Sequence, residues 1–140
     1  MNTKTTVEAL NLIARGNMLE HLGIEITEVG QNYLSGKMPV DHRTTQPFGL
    51  LHGGASVVLA ETLGSVASNL LIDQEKQYAV GLEINANHVK SAKNGHVYGK
   101  ATIAHAGKRT HIWEIKILND DYELVCISRL TVAIIDKPSV

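Results

Sequence analysis

A single cysteine among 140 residues rules out an internal disulfide and a thiolate zinc cluster. Cys126 falls in the alternating run LVCISRLTVAII, where it reads as a small buried core residue and not as a nucleophile. None of the seven histidines has the compact HxxxH spacing of a helical metal site, so no metal is expected. The GxSxG elbow that would support a serine triad is missing. A net charge of −1 argues against a general nucleic-acid binder. The longest apolar run is interrupted by Glu61 and is too short to span a membrane. The opening MNTKTTVEALNLI lacks the basic start and cleavage pattern of a secretory signal, which makes the reduced cytoplasm the expected compartment. No internal repeat, low-complexity tract or linker breaks the chain. One domain is expected over residues 1–140, with its core from about 7 to 135.

What is present is an ordinary globular composition, 44% hydrophobic and 19% charged, in a chain long enough to bury one substantial core. The charge is unevenly placed. Between Ile84 and Lys116 stand Lys90, Lys93, Lys100, Lys108, Arg109 and Lys116 against Glu114 alone, a local +5 that leaves −6 elsewhere. A basic segment on a near-neutral protein suits a small anionic ligand, although solvated surface lysines account for it equally well.

Periodicity gives the elements. Val7, Leu10, Ile13 and Ala14 share a helical face over Thr6 to Ala14, with Thr6 as cap. His21 to Val29 alternates as a strand, turns at Gly30 to Asn32, and returns from Tyr33 to Val40. After a loop from Asp41 to Gly49, a long helix is expected over His52 to Ile72. Its stripe of Ala55, Leu59, Leu63, Val66 and Leu70, flanked by Val58 and Ala67, implies that other structure wraps it. Strands follow at Tyr78 to Val89, His96 to Ala106, Thr110 to Leu118 and Glu123 to Ile135, and the tail from Lys137 is expected to fray. The result is an α+β layer arrangement, a central helix against five or six mostly antiparallel strands, whose other sheet face also needs covering, as an oligomer would do.

The segment QPFGLLHGGASVVLAETLGSVASN, from Gln46 to Asn69, carries the chemistry. A carboxylate within an apolar helix is costly unless paired, hydrogen-bonded or protonated, so Glu61 is expected in an unusual environment. Such groups cluster at active sites, and buried structural pairs give the same signal. His52-Gly53-Gly54 falls where the helix begins. There, unpaired N–H groups and the positive dipole end can stabilise a developing oxyanion, and the glycines allow close approach. A tight turn packed on a strand explains the glycines as well. Glu61 lies nine residues beyond His52, roughly 13 Å along the axis, so one chain cannot easily place both on one small reacting group. If both act, two helices must run past each other and the site requires a dimer. Ser65 is one turn from Glu61 and could hold a water, Ser68 and Thr62 are expected near it on the surface, and the Gln46 amide could donate to a substrate carbonyl. His21, His42 and His96 read as surface or turn residues.

The blocks PFGLLHGGASVVLAE, LAET and GLEINANHVKSA resemble the hotdog-fold acyl-CoA thioesterases of the phenylacetate-thioesterase-like branch. Within it they are similar to bacterial 1,4-dihydroxy-2-naphthoyl-CoA and hydroxybenzoyl-type thioesterases, over roughly Val7 to Ile135. The resemblance implies a hotdog fold: a long central helix wrapped by a curved antiparallel sheet, with a short N-terminal helix. It also implies a homodimer with interfacial active sites, commonly assembled as a homotetramer. Carried over, Glu61 is the nucleophile or general base, Gly53 N–H the oxyanion hole, Gln46 and His52 position the thioester carbonyl, and Ser65 holds the water or the carboxylate. Gly81, the run His88, Val89, Lys90, Ser91, and the run His105, Ala106, Gly107, Lys108, Arg109, Thr110 would bind CoA. Both runs lie in the basic segment, where Lys90, Lys108 and Arg109 suit phosphate oxygens. The expected substrate is an aromatic or medium-chain acyl-CoA, with Phe48, Leu50, Val57, Val58 and Leu82 as candidate acyl contacts; quinone biosynthesis, menaquinone included, is one role this fits. CoA is part of the substrate, and no cofactor, nucleic acid or membrane partner is expected. Two rivals are a hotdog hydroxyacyl thioester dehydratase, whose His-Phe-Pro arrangement is absent, and a non-enzymatic acyl-CoA sensor, for which no DNA-binding segment is present.

Overall fold

The structure, a computed structural model, describes residues 5–139. Thr6 caps α1 (Val7–Leu12), its hydroxyl accepting the Ala9 N–H at 3.1 Å. Next comes a short helix that the alternation of HLGIEITEV concealed. The expected strand from His21 is instead α2 (Met18–Leu22), capped by Asn17 and closed by Gly23 at φ 72°. Gly23 takes the left-handed conformation that ends a helix, and β1 (Glu25–Val29) begins only beyond it. Five elements follow β2 (Tyr33–Pro39): α3 (Gly53–Asn69), β3 (Gln77–His88), β4 (His96–Ala106), β5 (Thr110–Leu118) and β6 (Leu124–Asp136). The central helix stops three residues before the expected Ile72. Among the described residues no helix is long and apolar enough to cross a membrane.

All six strands join one antiparallel sheet in the order β1-β2-β4-β5-β6-β3. α3 lies on its inner face, burying Leu59, Ala60, Leu63, Gly64 and Ala67 together with Ser56 and Ser68. The glycines set how closely helix and sheet approach. Gly36 and Gly99 face each other across β2 and β4, and a Cβ on either would come within 2.8 or 2.7 Å of the Leu63 methyls. The sheet thus has a notch into which Leu63 fits. On the helix side, Gly64 makes room for Leu130 in the same way. The outer sheet face is mixed, with Tyr78, Val80 and Tyr98 exposed among charged side chains. It carries Lys100 over the Tyr33 ring, Lys116 near Glu114, and Lys37 near Glu25. Of the sheet's two edges, β1 is five residues long, whereas β3 is a twelve-residue edge strand on which Tyr78, Val80 and Leu82 are exposed.

Ser68, expected at the surface near Glu61, is fully buried. Its Oγ accepts the Trp113 Nε1–H at 2.7 Å and lies 3.0 Å from His111 Nδ1. The indole only donates, whereas the hydroxyl donates to His111 Nδ1 or accepts from it according to the ring's tautomer. Burial pushes the His111 pKa below its ordinary 6.5, and the nearby His105 pushes it further down. The unfolded chain therefore binds a proton that the folded chain refuses, so this contribution is complete above pH 6.5 and is lost as pH falls below it. Ser68→Ala leaves both rings without a partner and is expected to cost about 1–3 kcal/mol in urea unfolding. His111→Asn should flatten the loss of stability on the acid side of neutrality.

Candidate active site

The start of α3 is built by the loop before it. The Thr44 hydroxyl donates to the Pro39 carbonyl at 2.7 Å, and Asp41 pairs with Arg43 at 2.7 Å. The hydrogen bonds from Arg43, side chain first, hold the Asp41 carboxyl down at about 2. His52 N–H donates to Thr44 O at 2.8 Å and Leu51 N–H to Ala92 O at 2.7 Å, which fixes the point where the chain enters the helix. Within the loop Gln46 Oε1 accepts the Phe48 N–H at 2.5 Å, while the Gln46 amide nitrogen has no partner among the described residues. Gly49 closes this turn at φ 81°, a conformation that favours glycine.

At the helix start the amides are unequal. Ala55 and Ser56 N–H donate to the His52 carbonyl at 3.0 and 3.3 Å, and Gly54 N–H donates to His52 Nδ1 at 2.8 Å. Among the described residues the Gly53 N–H has no partner. It is also the amide on which a ligand oxygen would meet the positive end of α3. Because His52 Nδ1 accepts, the ring's proton sits on Nε2, which leaves that nitrogen as a donor. The imidazole of His88 packs on Gly53 so closely that a Cβ there would lie 2.8 Å from Nε2. A cavity of about 400 Å³ opens at this point, walled by Gln46, Gly53, His88, Val89, Lys90 and Ser91 among others. The loop, the helix start and the end of β3 thus meet in one place.

The remaining expected residues lie elsewhere. Glu61 is half-buried, not enclosed by apolar side chains as its sequence context suggests, because its side of α3 faces the sheet's β3 edge. A Cβ on Gly81 would lie 2.6 Å from Glu61 Oε1, so Gly81 is the platform on which the carboxylate rests. Ser65 is half-buried one turn on, with no hydrogen bond from its hydroxyl to Glu61 among the described residues. At the other end of α3 a cavity of about 600 Å³ is walled by Ile72, Gln77, Gly107, Lys108, Arg109 and His111. His105, Ala106 and Thr110 belong to the same hairpin, where Gly107 N–H donates to Thr110 O at 2.9 Å. One chain therefore brings together the free Gly53 N–H, Gln46 and His88 to Ser91, and it separates them from Glu61 and from the basic hairpin.

Two residues at this site escaped the sequence. Ser56 is buried yet walls the helix-start cavity, and its place in an apolar run gave no sign of that. Glu123, in the β5–β6 turn, bonds Lys90 Nζ at 2.5 Å across 33 residues of sequence. Cys126 is buried in β6 with its thiol pushed up by burial, as suits a core residue.

A family model described as the thioesterase superfamily matches residues 48–126. The 1,4-dihydroxy-2-naphthoyl-CoA hydrolase of Escherichia coli is 54% identical over 132 residues, covering 94% of this chain and 96% of that protein. The proofreading thioesterase EntH of Cronobacter turicensis is 48% identical over 129 residues, 92% of this chain and 93% of its own length. Among solved structures, a mutant thioesterase from Pseudomonas aeruginosa superposes with a TM-score of 0.95 at 45% identity, covering 97% of this chain and 98% of that one. A thioesterase from Haemophilus influenzae gives 0.91 at 45% identity, covering 94% of this chain and 92% of its own.

Proposed function

This chain belongs to the thioesterase superfamily and is a hydrolase of thioesters, and from that premise we propose that it cleaves an aromatic or medium-chain acyl-CoA to the free acid and CoA. Its helix and six-stranded sheet are the hotdog fold that the resemblance implied. The observation that carries the chemistry is the free Gly53 N–H at the start of α3, beside the Gln46 amide and the cavity. A thioester carbonyl is electrophilic without a metal, so a backbone donor for the oxyanion and one carboxylate suffice. Glu61 is that carboxylate. It either attacks the carbonyl carbon, releasing CoA thiolate and forming an anhydride, or removes a proton from the water that attacks. CoA thiolate leaves without strong protonation, and no cofactor takes part.

The site is shared between two copies. Helix geometry separates Glu61 from His52 by roughly 13 Å, beyond the reach of one carbonyl. The free β3 edge, with Tyr78, Val80 and Leu82 exposed, suits antiparallel pairing with a second β3. Because Glu61 rests on Gly81 of that edge strand, such pairing brings it toward the partner's helix start. A dimer of dimers in the cytoplasm is the assembly we favour. Lys90 and the Lys108-Arg109 hairpin take the phosphates of CoA. Leu82 and Phe48, 65% and 88% exposed, are acyl contacts completed by the partner or the substrate.

The kinship with a 1,4-dihydroxy-2-naphthoyl-CoA hydrolase makes that fused aromatic acyl group the first candidate, with menaquinone biosynthesis as its setting. The test is kcat/KM across a panel of aroyl- and fatty acyl-CoA thioesters. Aroyl groups are expected to exceed medium-chain acyl groups by about tenfold, the scale on which pocket shape discriminates. A preference for long-chain acyl-CoA, or no turnover of any member, would sink the assignment.

A further inference from the structure

Among the described residues Lys90 is the one lysine or arginine in the walls of the helix-start cavity, and its ammonium is already engaged. Nζ lies 2.5 Å from Glu123 Oε2, in a pair whose side chains are both about half exposed. The carboxylate is braced from its own turn. Asn119 Oδ1 accepts the N–H groups of Asp121 and Glu123 at 2.9 and 3.0 Å, and Asn119 Nδ2 donates to Glu123 Oε1 at 3.2 Å. Tyr122, immediately before Glu123, has φ 60°, in the left-handed region that a bulky residue disfavours. Hydrogen bonds from Lys90 and then Asn119 hold the Glu123 carboxyl below its ordinary range. Lys108 and Arg109, at the other cavity, form no ion pair among the described residues. The two basic positions therefore present different charge to an incoming anion: one free, the other cancelled.

We propose that Glu123 is a built-in counter-ion for Lys90, with which the anionic tail of a substrate must compete, so that this turn residue sets the affinity for phosphorylated thioesters. The inference rests on reading Lys90 as a partner for substrate phosphate. Glu123 touches no reacting atom and is a positioning residue, acting only through Lys90. A paired ammonium offers an anion little net field, and freeing it restores a full positive charge at the cavity rim. Glu123→Gln makes that change while keeping the side chain's shape and one amide oxygen, which can accept from Asn119 Nδ2 or from Lys90 Nζ but no longer from both.

The experiment compares wild type and Glu123→Gln on an acyl-CoA and on the N-acetylcysteamine thioester of the same acyl group, which has no phosphate. At low ionic strength the KM for acyl-CoA is expected to fall about three- to tenfold, with kcat and the truncated substrate unchanged. At high ionic strength the gain should shrink. Lys90→Gln should raise the KM for acyl-CoA, because it leaves the Glu123 carboxylate uncompensated, and adding Glu123→Gln to it should recover less than the gain that Glu123→Gln gives with Lys90 present. An acyl-CoA KM that stays constant or rises in Glu123→Gln overturns the proposal, and so does an equal change on both substrates. Calorimetric titration with CoA itself needs no turnover and separates the two failures. If the proposed reaction is wrong, wild type turns over neither thioester; if the counter-ion is wrong, Glu123→Gln leaves the Kd for CoA unchanged.

Discussion

Glu61→Gln is expected to lower kcat for acyl-CoA hydrolysis by about 10²–10⁴-fold, the range for removing a positioned proton acceptor, with KM and cooperative unfolding little altered. The structure makes this a clean substitution. Glu61 is half-buried, enters no ion pair among the described residues, and rests on the bare Cα of Gly81. An amide of the same shape leaves no charge stranded and breaks no mapped contact. Loss of turnover with intact folding and CoA binding assigns the carboxylate to chemistry; unchanged turnover would overturn that assignment. The same residue decides between the two routes. In a single turnover in heavy-oxygen water, the anhydride route puts label into the Glu61 carboxylate first, since water then attacks the glutamyl carbonyl. In the general-base route water attacks the thioester carbon, and all the label leaves in the product acid.

Why Glu61 was legible, and Glu123 was not, follows from what a sequence contains. The helix N-cap, the glycine pair and the spacing from His52 to Glu61 are local, so residue type and a 3.6 period suffice to place them. The hairpin strands at His96–Ala106 and Thr110–Leu118 were equally plain, because alternation and a turn are short-range signals. The failures have the opposite character. Ser68 stands seven residues after Glu61 and so shares nearly its angle on α3, yet one is sealed under His111 and Trp113 while the other lies at the sheet edge. Angle on a helix does not say which turns a curved sheet covers. The Lys90–Glu123 pair joins the end of β3 to the β5–β6 turn, a proximity that only strand order creates. The missed α2 is a different matter: its caps, Asn17 and Gly23, are local, but the helix is five residues long and the alternation of HLGIEITEV runs through Gly23. The overshoot of α3 has a similar source, since Leu70, Leu71 and Ile72 continue the apolar pattern after the chain has left the helix.

Gly53→Ala tests the other half of the site, and in combination with Glu61→Gln it tests whether two chains share it. A Cβ at residue 53 lies 2.8 Å from His88 Nε2, so the imidazole must move and the new methyl stands beside the one free amide of the helix start. Alanine keeps the backbone N–H, so the effect is steric: a methyl that blocks approach to the oxyanion donor is expected to cost up to about 10²–10³-fold in kcat, the range for losing such a donor. Stability should change little, because alanine's mid-helix advantage over glycine of roughly 0.5–1 kcal/mol is smaller at the first helical residue and is offset by the displacement of His88. That divergence, slower chemistry in a protein of little-changed stability, distinguishes a catalytic amide from a packing glycine. The two inactive variants are then dissociated, mixed in equal amounts and allowed to reassociate. Random pairing makes half the dimers mixed, and each mixed dimer holds one site with intact Glu61 and intact Gly53 and one site with neither. About a quarter of wild-type activity should return, a consequence of two-fold symmetry and site sharing alone. If instead Glu61 and Gly53 of one chain served the same thioester, every site would carry one lesion and mixing would restore nothing. The roughly 13 Å that α3 puts between its first turn and its carboxylate favours recovery.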